Sequence, residues 1–146
     1  MTSFSKNKNI KPLKKISVVI FGLGRIGMGY DKRLPAPQYV TSHARAVQIH
    51  RKFDLVGGYD PNSKKRTEFE RNYKRPTFSC AEKMIRECNP EIVIIASPTL
   101  KHKNSIEVSL QSKKIRGVLC EKPLSECLTD SLSIVKTCQQ NNIRIS

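Results

Sequence analysis

The chain contains no tryptophan, few other aromatic residues and far fewer acidic than basic residues. Its 146 residues include 12 Asp and Glu against 27 Lys and Arg, which gives a formal net charge of +15. Such a charge attracts polyanions. The basic residues are nevertheless scattered, and no helix-turn-helix or aromatic-basic pattern is present. The composition therefore predicts no nucleic-acid partner, and part of the charge can serve a phosphorylated or acidic ligand instead.

Long apolar runs and paired cysteines are also lacking. No apolar stretch approaches the roughly 20 residues of a membrane span, so no membrane partner is predicted. Residues 1–14 form a basic segment that we expect to be a flexible leader. The apolar segment of a signal peptide does not follow it. The cysteines are Cys80, Cys88, Cys120, Cys127 and Cys138. Without a C-x-x-C pair or a histidine at ligand spacing they predict no metal site, and as reduced thiols they favour a cytoplasmic location.

The most informative segment present is residues 16–27. Its apolar residues 18–21 are typical of a buried parallel strand, and Gly22, Gly24 and Gly27 follow with the spacing of a dinucleotide fingerprint. In that motif the first glycine makes a tight turn, the second lets the backbone approach a pyrophosphate, and the third lets a helix pack closely. The alternative, a glycine-rich hairpin, would need a second alternating strand at once.

Strands and helices are predicted to alternate along the rest of the chain. Strands are predicted at residues 16–21, 53–59, 76–78, 91–96 and 117–120, with a sixth beginning at 143–145. Helices are predicted at 44–49, 63–73, 82–88, 104–112 and 128–140, the last with an apolar face of Leu128, Leu132, Val135 and Cys138. This alternation predicts an α/β fold over residues 15–146, a doubly wound parallel sheet of the Rossmann type.

One segment, residues 30–41, interrupts the alternation. It contains Pro35 and Pro37, which do not fit inside a helix, so we predict a surface loop, called the insertion below. Ser42 is expected to cap the helix that resumes after it.

An acidic residue, Asp60, ends the second predicted strand. In this fold such a residue accepts hydrogen bonds from the adenine ribose. It lies 33 residues after Gly27, against about 20 in the fingerprint, and the insertion accounts for the excess. The alternative is a turn residue that caps the next helix. A carboxylate here repels a 2′-phosphate and favours NAD, but Lys64, Lys65 and Arg66 could offset that repulsion and admit NADP.

Two further motifs follow the fourth and fifth strands. The first is Ser97-Pro98 with His102, and the second is Glu121-Lys122-Pro123. In order with the glycines and Asp60, they resemble the (S/T)-P-x-x-x-H and E-K-P motifs of the Gfo/Idh/MocA family, named after glucose–fructose oxidoreductase and inositol dehydrogenase. The resemblance extends from about Lys15 to Ser146. Each motif alone is weak evidence, whereas the ordered set is specific.

The resemblance implies a role for each position. The three glycines, with Arg25 and Ile26, would bind the cofactor pyrophosphate, and Asp60 the adenosine ribose. The nicotinamide side of the pocket would be lined by Ser97, Pro98, Thr99 and His102. Glu121 would contact the nicotinamide ribose region. Lys122 would border the cofactor and act as the catalytic lysine, its ammonium group stabilising charge on the substrate oxygen.

Simpler interpretations of these motifs stay open at this point. Residues 121–123 could be a solvated turn after a strand, and His102 a surface residue at the start of a helix. The cofactor implied by the resemblance is NAD, with NADP possible.

The implied activity is hydride transfer between that cofactor and a hydroxyl of a sugar, nucleotide sugar or cyclitol. Family enzymes carry a second α/β domain with substrate contacts, an Asp/His pair for proton transfer and usually the oligomer interface. We expect that domain to be missing here, since the chain ends inside the sixth strand. The chain alone should then be inactive, and a homo-oligomer would form through the missing domain. A non-catalytic NAD(H)-binding regulatory module and a basic nucleic-acid-binding protein are the alternatives.

Overall fold

The computed structural model describes residues 14–146, so residues 1–13 of the predicted leader lie outside the described part. One six-stranded sheet is formed by β1 (Ile16–Phe21), β2 (Phe53–Tyr59), β3 (Thr77–Phe78), β4 (Ile92–Ile95), β5 (Gly117–Cys120) and β6 (Arg144–Ile145). The helices are α1 (His43–Ile49), α2 (Ser63–Tyr73), α3 (Ala81–Cys88), α4 (His102–Ser109) and α5 (Leu128–Gln140). All six predicted strands are confirmed. No helix among residues 14–146 is long and apolar enough to cross a membrane.

The strand order is β3-β2-β1-β4-β5-β6, and every neighbouring pair is parallel. The chain therefore runs outwards from β1 to β3, returns to the other side of β1 with β4, and runs outwards again. This is the doubly wound order, in which a ligand crevice forms at the carboxyl ends of the strands where the direction reverses. The predicted Rossmann fold is confirmed.

Helices pack against apolar residues on both faces of the sheet. Alternate side chains of a strand point to opposite faces, so Val18 and Ile20 pack with α1 and α2, whereas Val19 and Phe21 pack with α3, α4 and α5. All four side chains are almost completely buried. The near-continuous apolar sequence of β1 is explained by this burial on both faces.

The apolar face predicted for α5 is wrong in its first two turns. Leu128 and Leu132 are 74% and 61% exposed, and Ile134 is the residue that enters the core. Asp130 in the first turn forms an ion pair at 2.6 Å with Lys103 of α4, so the polar side of this turn faces the neighbouring helix. The helical period was therefore predicted correctly, but not which side of the helix faces the sheet.

The helix expected to begin at the fingerprint glycines is confined to one wide turn. Its residues are Arg25–Gly29, with hydrogen bonds from the N–H groups of Met28 and Gly29 back to the carbonyl of Gly24. The insertion follows at once and forms turns rather than a helix. The helix resumes as α1, and Ser42 caps it by accepting a hydrogen bond from the N–H of Arg45, as predicted.

A buried carboxylate, Asp31, closes the insertion at its base. It accepts hydrogen bonds from the N–H of Thr41 (2.7 Å), the N–H of Ser42 (2.8 Å) and the hydroxyl of Ser42 (2.6 Å). The guanidinium of Arg45 lies 3.6 Å away. Burial raises the pKa of Asp31, but the hydrogen bonds from Ser42 and Thr41 and the charge of Arg45 outweigh it, so the pKa is lowered overall.

Replacing Asp31 with Asn should lower the free energy of unfolding by about 1–3 kcal/mol at neutral pH, because charge-assisted hydrogen bonds are lost. Since the folded pKa is lowered, this difference should be present above the unfolded pKa of about 3.9 and be lost as the pH falls through the folded pKa. Urea denaturation at several pH values measures it. Asp54→Asn, which breaks the exposed pair with Arg75, is the control and should cost under about 1 kcal/mol. Equal costs for the two variants would contradict the role given to Asp31.

Candidate cofactor site at the carboxyl edge of the sheet

Two of the three fingerprint glycines are required by the protein itself. Gly22 has φ +90°, and a Cβ there would lie 2.6 Å from the carbonyl oxygen of Ala96 and from the nitrogen of Ser97. A Cβ on Gly27 would lie 2.1 Å from the carbonyl oxygen of Gly22. The first turn is thus pressed against the end of β4, and the third glycine lets the following turn fold back on the first.

Gly24 differs from its two neighbours. A Cβ there would meet only the Nζ atom of Lys65, at an ordinary contact distance of 3.8 Å, and its φ of −81° suits any residue. Nothing within the described residues requires glycine at this position. The N–H groups at the start of the following turn have no intrahelical acceptor. Gly24, itself half-buried, therefore leaves room for a phosphate-bearing ligand to approach the backbone.

Asp60 ties the glycine segment to the end of β2. Its carboxylate accepts hydrogen bonds from the N–H of Leu23 and the N–H of Asn62, both at 2.9 Å, and the residue is 4% exposed. Asn62, not Asp60, caps α2 by accepting from the N–H groups of Lys64 and Lys65. Asp60 lies where the fingerprint places an acid, and it also holds the loop in shape.

The three cations that follow Asp60 have different surroundings. The ammonium group of Lys65 lies 3.5 Å from the Asp60 carboxylate. The guanidinium of Arg66 donates instead to the backbone carbonyls of Asp60 and Pro61. Lys64 is exposed and has no such contact. Lys65 is thus the cation that lies beside both the carboxylate and Gly24.

His102 joins the two family motifs to each other. It starts α4 two residues before the predicted helix start, after a short 3-10 turn at Thr99–Lys101, and is 1% exposed, which excludes a surface position. Its Nε2 atom is 2.8 Å from the carbonyl oxygen of Ser97, and its Nδ1 atom is 3.0 Å from that of Pro123. The ring therefore lies between the segments after β4 and β5, and a neutral imidazole donates a hydrogen bond to one of the two carbonyls.

The other residues predicted after β4 lie beside His102. Pro98 is exposed, and Thr99 is half-buried. The hydroxyl of Ser97 is buried and has no hydrogen-bond partner among the described residues. A buried hydroxyl without a partner at the edge of the crevice is a group that a bound ligand can satisfy.

Glu121 and Lys122 differ in how firmly they are held. The N–H of Glu121 donates to the carbonyl of Ile95, and one carboxylate oxygen is 2.8 Å from Nε2 of His43. Lys122 is exposed, and within residues 14–146 no hydrogen bond or ion pair engages its ammonium group. Burial, with a smaller effect from the Glu121 carboxylate, raises the pKa of the adjacent Cys120 thiol to about 11. Cys120 is therefore an uncharged thiol at neutral pH and adds no negative charge near the lysine.

The structure brings the predicted site residues after β1, β2, β4 and β5 together at the carboxyl edge of the sheet. Arg25 is exposed and Ile26 half-buried on the turn beside Gly24. A cavity of about 660 Å³ lies elsewhere: it is lined by the first residues of five strands, including Ile16, Phe53 and Arg144. No cluster of three potential metal ligands occurs in residues 14–146.

Sequence reasoning missed His43. It predicted the capped helix that begins there but assigned the histidine no role in the site. No local pattern indicates its contact with Glu121, because the partner is 78 residues away. The one relevant feature of the sequence was that His43 directly follows the capping residue Ser42, where the insertion ends.

Comparison with known proteins identifies the family and the fold. Residues 16–146 match the model of the oxidoreductase family with an NAD-binding Rossmann fold, the GFO_IDH_MocA family. A curated relative, glucose-6-phosphate 3-dehydrogenase of Bacillus subtilis, is 31% identical over 106 residues, which are 72% of this chain and 29% of the relative.

Solved structures show the same fold. The WlbA dehydrogenase of Bordetella pertussis, in complex with NADH and UDP-GlcNAcA, matches with a TM-score of 0.74 and 24% identity over 90% of this chain. The scyllo-inositol dehydrogenase of Lactobacillus casei, with NAD(H) and scyllo-inositol, matches with a TM-score of 0.73 and 20% identity over 91% of this chain. Each match covers 36% of the solved chain. The chain thus spans about a third of the length of the proteins it resembles.

Proposed function

Because the chain belongs to the Gfo/Idh/MocA oxidoreductase family, which binds NAD through a Rossmann fold, we propose that it is the cofactor-binding part of a dehydrogenase. The substrate is a hydroxyl group of a sugar, nucleotide sugar or cyclitol. The observation that carries the proposal is Gly24, the one fingerprint glycine that the packing of the described residues does not require. The absence of a side chain at this position is explained if a ligand approaches the backbone there.

Each end of the site holds a different part of the cofactor. The backbone around Gly24 binds the pyrophosphate, and the end of β2 at Asp60 binds the adenosine ribose. The buried Ser97 hydroxyl and the Glu121 carboxylate lie at the ends of β4 and β5, where they contact the nicotinamide end. His102 supports this end by holding the two segments together, since both of its ring nitrogens face backbone carbonyls.

Lys122 is the proposed catalytic residue. The bound nicotinamide supplies the hydride chemistry. The ammonium group, without a competing partner in the described residues, lies against the substrate oxygen and stabilises the negative charge that develops there. The N–H of the preceding Glu121 is bonded to Ile95, so the backbone places this lysine at the carboxyl edge of the sheet, where a cation suits this role.

The substrate class rests on the relatives. The B. subtilis relative is named for glucose 6-phosphate, and the two solved structures hold UDP-GlcNAcA and scyllo-inositol. We assign the remaining substrate contacts and the proton relay to a part of the protein that corresponds to the other two thirds of these relatives. The free thiols of this chain favour a reducing compartment such as the cytoplasm.

Gly24→Val should abolish NADH binding without unfolding the chain, because the side chain fills the space that the pyrophosphate needs. Calorimetric titration with NADH should show a loss of at least about tenfold in affinity, which is about 1.4 kcal/mol. The control is Gly117→Ala at the far edge of the sheet, where a Cβ meets nothing closer than 3.8 Å. Equal NADH affinity for Gly24→Val and the native chain would refute the proposed pyrophosphate site.

Lys65→Ala should weaken NADPH binding more than NADH binding, because its ammonium group screens Asp60 where a 2′-phosphate would lie. A loss of about tenfold for NADPH is expected, with little change for NADH. Competition titrations of the two cofactors measure the difference. Lys64→Ala removes the same charge from the neighbouring position and should leave the NADPH/NADH ratio unchanged. An equal change of the ratio in both variants would show that general charge, rather than Lys65, admits the phosphate.

Lys122→Ala should reduce the dehydrogenase activity of a longer product of the same gene by about 10²- to 10⁴-fold, the usual effect of losing a positioned proton-transfer or electrostatic group. NADH formation with sugars and inositols as substrates measures it. The 146-residue chain alone should form no NADH. Lys113→Ala, at an exposed position outside the site, is the matched control. Full activity of the Lys122→Ala protein would refute the catalytic role of this lysine.

A further inference from the structure

The contact between His43 and Glu121 joins two separate connections of the sheet. Nε2 of His43 lies 2.8 Å from Oε1 of Glu121, and because a carboxylate only accepts, the ring donates. Both side chains are mostly buried, with 18% and 28% exposed. His43 is the first residue of α1 and Glu121 the first residue after β5, so the contact spans the end of β4, which lies between β1 and β5.

The insertion determines where His43 lies. Asp31 binds both residues that precede the histidine, Thr41 and Ser42. Arg45, on the first turn of α1, donates to the backbone carbonyls of Leu34 and Tyr39 within the insertion. These hydrogen bonds hold the chain on both sides of His43. The histidine therefore has a defined position despite the length of the insertion.

Glu121 is held at its backbone N–H and at one oxygen of its carboxylate. Its N–H is bonded to Ile95 at 2.9 Å, and its Oε1 atom to His43. Within residues 14–146 its Oε2 atom has no hydrogen bond. The histidine therefore selects one orientation of a flexible carboxylate and leaves the second oxygen for a ligand hydroxyl.

We infer that His43 is a positioning residue, which holds the Glu121 carboxylate in place for the nicotinamide ribose. The inference rests on the proposed function, since it needs the nicotinamide end of the cofactor to lie at Glu121. His43 acts through Glu121 and not on the adenine end, where Asp60 and the glycine segment bind. Loss of the imidazole should consequently affect only those ligands that carry the nicotinamide riboside.

The test compares NADH with ADP, which has the adenosine and pyrophosphate but no nicotinamide riboside. His43→Ala should weaken NADH binding about tenfold, as expected for a lost hydrogen bond to a charged partner, and leave ADP binding unchanged. His43→Gln keeps a side-chain N–H donor and should recover most of the NADH affinity. His50→Ala, which removes the exposed histidine just after α1, is the control and should bind both ligands like the native chain.

A double-mutant cycle tests that His43 acts through Glu121. In a Glu121→Ala background, His43→Ala should cause no further loss of NADH affinity. If His43→Ala fails to fold, His43→Phe, which fills the space without a donor, takes its place. Unchanged NADH affinity, a parallel loss of NADH and ADP, or additive effects in the cycle would each overturn the inference while leaving the cofactor site standing. Failure of the native chain to bind either ligand would overturn the proposed function itself.

Discussion

The close approach of the glycine segment to the ends of β2 and β4 is the constraint on which the rest of the site depends. On one side, the turn at Gly22 touches the backbone of Ala96 and Ser97 so tightly that no Cβ fits. On the other side, the Asp60 carboxylate holds the N–H of Leu23. With both sides fixed, the backbone at Gly24 is presented at the crevice between the two halves of the sheet, where a doubly wound fold binds its ligand.

The proposed nicotinamide end depends on a second set of contacts of the same kind. His102 is buried and bridges the segments after β4 and β5, and His43 reaches Glu121 from the other face. Both histidines lie within hydrogen-bond distance of oxygen acceptors of the protein itself. The exposed Lys122 thus extends from a segment whose backbone and neighbours are fixed. The chain uses buried polar side chains to place an exposed cation, an arrangement that favours electrostatic catalysis.

Much of the fold could be predicted from local sequence, because buried parallel strands have a distinctive composition. The runs at 18–21 and 92–95 are apolar on both faces, and the six strands follow from such patterns and their spacing. Properties set by contacts distant in the chain could not be predicted. Examples are the outward orientation of Leu128, in a turn whose Asp130 pairs with Lys103 of α4, and the burial of His102, whose ring lies against a carbonyl 21 residues away.

The candidate site shows the same division. The glycine spacing, Asp60 and the two motifs are local patterns, so the sequence indicated them by position. The sequence could not show that Lys65 pairs with the Asp60 carboxylate whereas Arg66 donates to backbone carbonyls. These contacts depend on the orientation of α2 relative to the sheet. Nor could it show the partner of His43, since Glu121 lies 78 residues further along the chain.

The location of the cofactor is the central claim, and amide NMR of the chain during titration with NADH tests it most directly. The account predicts that the largest shifts occur at the carboxyl edge, at Gly24, Arg25, Ser97 and Glu121. The large cavity at the opposite edge provides an internal comparison, because its residues Ile16, Phe53 and Arg144 should not respond. Shifts concentrated at those three residues, with Gly24 unchanged, would contradict the account.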